Sequence, residues 1–297
     1  MATHRVAEAP LPLPLPAPAP TRRGVERRRW ERVAGSFRDF YEAPTTQYYR
    51  RCEIALIGRL LGPLAGRRVL KLDLWNEAFN TRILHWMAGE GAEVYGMDLS
   101  QRVTITARGN SSRSPAPLRL LSADIRELPF ADGFFDAVYT MGTIEHIAEY
   151  RHTLCEIRRV LRPGGRAIVG VPHRWNLFLR PLLVACLERF GLYPYAPEKS
   201  FGARELRRDL EAAGLAVTAR SGILTLPGLL RMADVFCFNR GIVLRRLSPL
   251  MVAPFQYAET RWRWPGRFGY LMAMLGERPA APRAAGDARP PQAEGPP

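Results

Sequence analysis

The sequence predicts an α/β fold, a mostly parallel sheet with helices on both faces, and three observations carry that expectation. Short apolar runs bounded by Gly, Asp or Pro alternate with longer stretches of helical period. The composition, 47% hydrophobic and 24% charged over 297 residues, is that of a globular chain. Acidic residues stand just after successive apolar runs, where an open parallel sheet collects its ligands.

Taken in order, Tyr48 to Leu64 reads as helix because Ile54, Ile57, Leu60 and Leu61 share a face. Val69 to Leu72 is a short strand, Phe79 to Gly89 a helix, and Val94 to Met97 a second strand. Leu118 to Ser122 follows as a third strand, and the Asp132-Gly133 turn leads into a fourth, Phe135 to Thr140. Leu154, Ile157, Val160 and Leu161 form a helical stripe stopped by Pro163-Gly164-Gly165, and Arg166 to Val171 is the fifth strand. Ala203, Leu206, Leu210 and Ala213 make a further helix closed by Gly214, followed by a strand through Leu215, Val217 and Ala219. Phe268 to Leu275 is the last strand-like run.

The ends are expected to be disordered. Residues 1–28 are proline-rich and then arginine-rich, and 277–297 are mostly Ala, Pro, Arg and Gly, so neither buries enough apolar surface to offset its ordering entropy. A helical segment over 29–66 then precedes the main domain, 67–276, which carries an apolar and basic insertion at about 225–260. Proline alternating with leucine near the start excludes a signal helix, and no run reaches the roughly 18 apolar residues of a membrane span. A cytoplasmic protein follows as the expectation. Cys52, Cys155, Cys186 and Cys237 lie far apart without a CxxC pair, which reads as buried thiols and argues against a metal site or disulfide framework. The net charge of +15 is almost wholly arginine, since Lys71 and Lys199 are the only lysines. Without aromatic residues interleaved in a basic groove, nucleic-acid binding is disfavoured.

The informative residues lie at the strand ends. Lys71, Asp73 and Glu77 surround the end of the first strand, Asp98 and Leu99 follow the second, Asp124 and Ile125 the third, and Met141, Glu145 and His146 the fourth. A carboxylate at the end of the second strand suits a ribose diol, because it accepts two hydroxyl hydrogen bonds; Asp98 serves that role or caps the next helix. Asp124 suits an exocyclic amine, with the Ile125 N–H reading a ring nitrogen.

Several blocks resemble the class I S-adenosylmethionine-dependent methyltransferases over roughly Gly66 to Val171. They are Ala92 to Ser100, Ala123 to Phe130, Asp132 to Val138, Ile144 to Ile147, and Arg159 to Arg166. The resemblance implies a Rossmann-like sheet with a final antiparallel strand, S-adenosylmethionine as cofactor, Asp98 toward its ribose and Asp124 toward its adenine. The first loop departs from the family pattern: Lys71 takes the usual acid position, and Asp73, Trp75 and Glu77 take the glycine positions. It resembles a variant subgroup with a Lys-x-Asp-Leu loop. A lysine beside a sulfonium repels it unless neutralised, so Lys71 is expected to pair with Asp73 or Glu77 or to grip the cofactor carboxylate, an acid being left for the cofactor amino group.

For chemistry, His146 with Glu145 beside it is placed as a base; alternatively the histidine orders the loop. His173, Arg174 and Asn176 are expected on the acceptor side. Phe40, Tyr41, Tyr48 and Tyr49, and the insertion with Leu229, Met232, Phe236 and Leu244 among Arg231, Arg240, Arg245 and Arg246, are candidates to shape the acceptor pocket. Such a basic amphipathic stretch either faces the core or touches an anionic membrane peripherally and covers a lipidic acceptor. The expected activity is methyl transfer to a small-molecule or lipid-linked acceptor. The competing reading, favoured by Lys71 and Glu77, is a catalytically silent Rossmann-like scaffold.

Overall fold

A computed structural model describes residues 22–280 except 177, 194, 196, 242–247 and 262–267. Seven strands form one sheet in the order β3-β2-β1-β4-β5-β7-β6. They are β1 (Arg68–Lys71), β2 (Glu93–Asp98), β3 (Leu118–Ser122), β4 (Phe135–Met141), β5 (Leu161–Pro172), β6 (Ala216–Ile223) and β7 (Leu271–Glu277). Every pairing from β3 to β5 is parallel, and β7 runs antiparallel between β5 and β6. From β1 the chain winds outward through β2 and β3, then returns to β4 on its other side. The crevice beyond the carboxyl ends of β1 and β4 is therefore the topological switch point.

Both faces of the sheet are covered. On one face Val69, Val94, Tyr139 and Ile168 pack with Leu56, Ile57 and Leu61 of α2 (Pro44–Leu61). On the other, Leu70, Val138 and Val169 pack with Leu154 and Ile157 of α6 (Tyr150–Val160) and with Leu206 and Leu210 of α8 (Ala203–Ala212).

Three differences from the sequence reading have identifiable physical causes. The helix expected over Phe79 to Gly89 is two pieces, α3 (Trp75–Phe79) and α4 (Ile83–Gly89). Between them Arg82 is left-handed, with φ of 48°, and the Glu77 carboxylate accepts the Leu84 N–H at 2.9 Å. Strand β5 begins at Leu161 rather than Arg166: Leu161 pairs with Phe135, and a register shift absorbs the Pro163-Gly164-Gly165 turn, where Gly164 has φ of 74°. Arg22 to Arg28, expected to be unstructured, belong to helix α1 (Arg22–Ser36). Ion pairs pin it there, Arg22 to Glu149, Arg23 to Glu127, and Glu26 to Arg126.

The insertion folds as α9 (Gly228–Arg240) and α10 (Ser248–Arg261); Leu244, Arg245 and Arg246 lie outside the described residues, as do 1–21 and 281–297 of the two tails. One side of each helix is tied to the domain. Asp234 accepts from the Thr45 N–H and hydroxyl at 2.9 and 2.6 Å, and Glu259 accepts from the Leu224 N–H. The reading of four buried thiols is corrected: Cys52 is buried, but Cys155 and Cys186 are exposed on the outer sides of α6 and of α7 (Arg180–Arg189).

Candidate active site

The switch point opens into a cavity of about 230 Å³. Asp73, Asp98, Leu99, Asp124, Ile125, Met141, Glu145 and His146 line it, so eight expected site residues share one enclosure. Lys71 and Glu77 are not among the lining residues. Both side chains are 0% exposed and stand behind the wall; of the two alternatives for Lys71, the geometry shows the pairing with Asp73 and Glu77 and not a grip on a ligand. The Lys71 ammonium donates to the Asp73 carbonyl and to Asp73 Oδ1, both at 2.7 Å, and lies 3.1 Å from Glu77 Oε2. Burial alone would lower the lysine pKa, but the two carboxylates outweigh it and hold the ammonium charged. The loop after β1 is thus braced by an internal ion pair. Asp73 keeps Oδ2 on the cavity side, where it accepts from the Thr143 hydroxyl at 3.1 Å.

Asp98 holds the loop from below. Its Oδ2 accepts the Leu74 N–H at 3.0 Å and its Oδ1 the Ser100 N–H at 2.8 Å. The cap of α5 (Gln101–Asn110) is Ser100, whose hydroxyl accepts the Val103 N–H. Asp98 is therefore not the helix cap. Burial pushes its carboxyl up to about 7, against the two backbone hydrogen bonds. Asp124 is partly occupied: Arg126 donates to it from its backbone N–H, Nε and Nη2 at 2.8–3.1 Å. Burial raises the Asp124 pKa, but Arg126 outweighs it and the net shift is downward.

Met141 reaches the cavity because Gly170 of β5 leaves room beneath it; a Cβ there would stand 2.1 Å from the Met141 sulfur. Beyond Met141, Glu145 is buried with Oε2 lacking a hydrogen-bond partner, and burial pushes its carboxyl up to about 8. His146 sets Nδ1 3.2 Å from the Pro197 carbonyl and packs edge-on to Trp30 of α1, with ring centroids 5.2 Å apart. A carbonyl only accepts, so Nδ1 carries the hydrogen and Nε2, 3.9 Å from Glu145 Oε1, is the basic nitrogen.

The far wall differs from expectation. His173, Arg174 and Asn176 do not line the cavity: Arg174 bonds the Ser200 carbonyl and Glu205, and Asn176 Oδ1 accepts from the start of α7. Of Phe40, Tyr41, Tyr48 and Tyr49, only Tyr49 lines the cavity; Phe40 is core, Tyr41 lies under Arg82, and the Tyr48 hydroxyl bonds Glu259 and Thr225. The wall is built instead by Trp30, Trp75, Tyr193, Tyr195 and Tyr270, with Arg180 and Arg231. Trp75 packs on Phe37 and Phe79 at centroid distances of 4.9 and 4.8 Å, which draws it to the rim. The aromatic spacing of Tyr193 and Tyr195 was a readable signal, and Arg231 belongs to the insertion expected to shape the pocket; the inward turn of Arg180 had no signal.

A methyltransferase-domain family model matches residues 79–169, which hold β2, β3, β4 and most of β5 but not β1 or the loop with Asp73 and Trp75. Among curated proteins, a demethylmenaquinone methyltransferase of Thermus thermophilus is 36% identical over 143 residues, 43% of this chain and 65% of its own length. A ubiquinone biosynthesis O-methyltransferase of Rhizobium etli is 29% identical over 171 residues, 56% of this chain and 66% of its own. The chain thus spans just under two thirds of the length of these relatives. Among solved structures, the magnesium protoporphyrin IX methyltransferase of Synechocystis with bound S-adenosylhomocysteine aligns with a TM-score of 0.52 at 16% identity, over 84% of this chain and 93% of that one. The [4+2]-cyclase SpnF aligns with a TM-score of 0.58 at 18% identity, over 89% and 98%. The fold is the one these solved structures share, and residues 79–169 match the methyltransferase-domain model.

Two outcomes follow from the buried charges. Lys71→Met leaves Asp73 and Glu77 without their cation and is expected to destabilise the fold by about 3–5 kcal/mol in urea denaturation, most of it regained in Lys71→Met/Glu77→Gln. A loss below about 1 kcal/mol would show that the pair braces nothing. Glu145, raised from 4.5 to about 8, binds a proton more tightly folded than unfolded. Its stabilising contribution is full below about pH 4.5 and is lost as pH rises to about 8. Glu145→Gln should flatten that part of the stability–pH curve, and an unchanged slope would place the proton elsewhere.

Proposed function

We propose that the chain transfers a methyl group from S-adenosylmethionine to a small, apolar, quinone-like or lipid-linked acceptor. The observation that carries this reading is one cavity lined together by Asp98 and Asp124, by Glu145 and His146, and by the rings of Trp30, Trp75, Tyr193, Tyr195 and Tyr270. The residues fit a nucleoside: each Asp98 oxygen accepts one backbone N–H and keeps a lone pair for a ribose hydroxyl. Asp124 and Ile125 would take the adenine edge, and Asp73 the amino group. When bound, the cofactor supplies an electrophilic methyl on a sulfonium, and positioning together with exclusion of water does most of the work. His146 Nε2 accepts the acceptor's proton, with Glu145 beside it. The scaffold alternative drew on Lys71 and Glu77; both stand behind the wall and leave Asp98 open to the cavity, so they do not favour it.

The names of the relatives support a quinone-type acceptor, and the surface beside the cavity suits a lipid tail. Helices α7 and α9, which send Arg180 and Arg231 inward, meet where Gly228 lies beside Leu183. Leu182, Leu229, Met232 and Phe236 are exposed on them, with Arg189 and Arg240 also at the surface. We read this as a peripheral contact with an anionic membrane. Among the described residues no helix is long and apolar enough to cross one.

Calorimetry with S-adenosylhomocysteine tests the cofactor reading: binding is expected, weakened by about 1–3 kcal/mol in Asp98→Ala. No heat at millimolar ligand would leave the scaffold. In flotation with anionic vesicles, Leu229→Glu/Phe236→Glu should float several-fold less than the unmodified chain; equal flotation would remove the membrane contact.

A further inference from the structure

We propose that Arg231 of α9 binds a carboxylate group of a ligand held in the cavity. This deepens the methyl-transfer reading and rests on it for the identity of the cavity as a ligand site. Three described cations face the cavity: Arg126, Arg180 and Arg231. Arg126 is neutralised by Asp124, Glu149 and Glu26, and Arg180 by Glu198. Arg231 has no carboxylate partner among the described residues. Its Nη2 donates to the Asn80 amide oxygen at 3.1 Å, its guanidinium carbon lies 5.3 Å from the Tyr49 ring centroid, and Nη1 is buried without a hydrogen-bond partner. The nearest acid on its own helix, Asp234, is engaged by Thr45.

A half-buried guanidinium with an unsatisfied donor is costly, and a carboxylate supplies both the missing charge and a two-pronged acceptor. The arrangement around it is set in advance. Asn80 Nδ2 donates to Asn76 Oδ1 at 2.8 Å, which turns the Asn80 oxygen toward Arg231, and the Asn76 amide in turn faces Glu53. The amino-acid end of the cofactor and an acid group on the acceptor both offer this chemistry.

The experiment is calorimetry on the full chain and Arg231→Gln with three probes: S-adenosylhomocysteine, 5′-methylthioadenosine, which lacks the amino-acid group, and benzoate added with S-adenosylhomocysteine present. If the cofactor supplies the carboxylate, Arg231→Gln weakens S-adenosylhomocysteine roughly 10- to 100-fold and leaves 5′-methylthioadenosine unchanged. If the acceptor supplies it, both nucleosides bind as before and benzoate binding is lost. Asn80→Asp, which places a carboxylate against Arg231, should reproduce either pattern and serves should Arg231→Gln melt early. All three probes binding both variants as they bind the unmodified chain would overturn the proposal. Failure of the unmodified chain to bind either nucleoside would instead remove the methyl-transfer reading, and benzoate titrated alone would then decide Arg231.

Discussion

The ammonium of Lys71, with no exposed surface, donates twice to Asp73 and lies against Glu77, and the floor of the cavity follows from that balance. A glycine-rich loop approaches a ligand by having no side chains; this loop has bulky ones and folds them away. Glu77 caps α4 through the Leu84 N–H, Leu74 is held by Asp98, and Asp73 presents its remaining oxygen to Thr143. Removing the cation would leave carboxylates facing one another in a medium that screens them poorly.

The same low polarity shapes the rest of the enclosure. Asp98, Glu145 and the Glu53 carboxyl behind them all rise to about 7 or 8, because burial penalises their ionised forms more than the nearby donors favour them. The site thus holds carboxyls that exchange protons near neutrality, beside a histidine whose basic nitrogen is fixed by the Pro197 carbonyl. Arg126, by contrast, is wrapped by three acids and braces α1 across the Asp124 side of the cavity.

The fold by itself fixes where a ligand sits, not what becomes of it. A sheet of this kind also supports a [4+2]-cyclase. The side chains that distinguish one chemistry from another here come from outside the central strands: Trp30 from α1, Tyr49 from α2, Arg180 from α7, Arg231 from α9, and Tyr193 and Tyr195 from the segment after α7. Of these elements, α7 and α9 also carry exposed apolar side chains, Leu182, Leu229, Met232 and Phe236.

The alternation of short apolar runs with helical stripes was enough to place the five parallel strands, since a buried strand must be apolar along its length and a covering helix on one face. Asp98, Asp124, Glu145 and His146 were legible for the same reason: strand ends in a parallel sheet converge. The pairing of Lys71 with the loop acids was legible as one of two alternatives; its complete burial with Glu77 was not, because whether a charged side chain turns inward depends on partners that only folding assembles. The ordering of Arg22 to Arg28 depends likewise on acids about a hundred positions away, and the entry of Arg231 into the cavity on a helix packed against α2. Sequence determined the scaffold and the acids on its rim; tertiary structure decided which charges were neutralised and which stayed open to a ligand, since that balance is a property of neighbours in space.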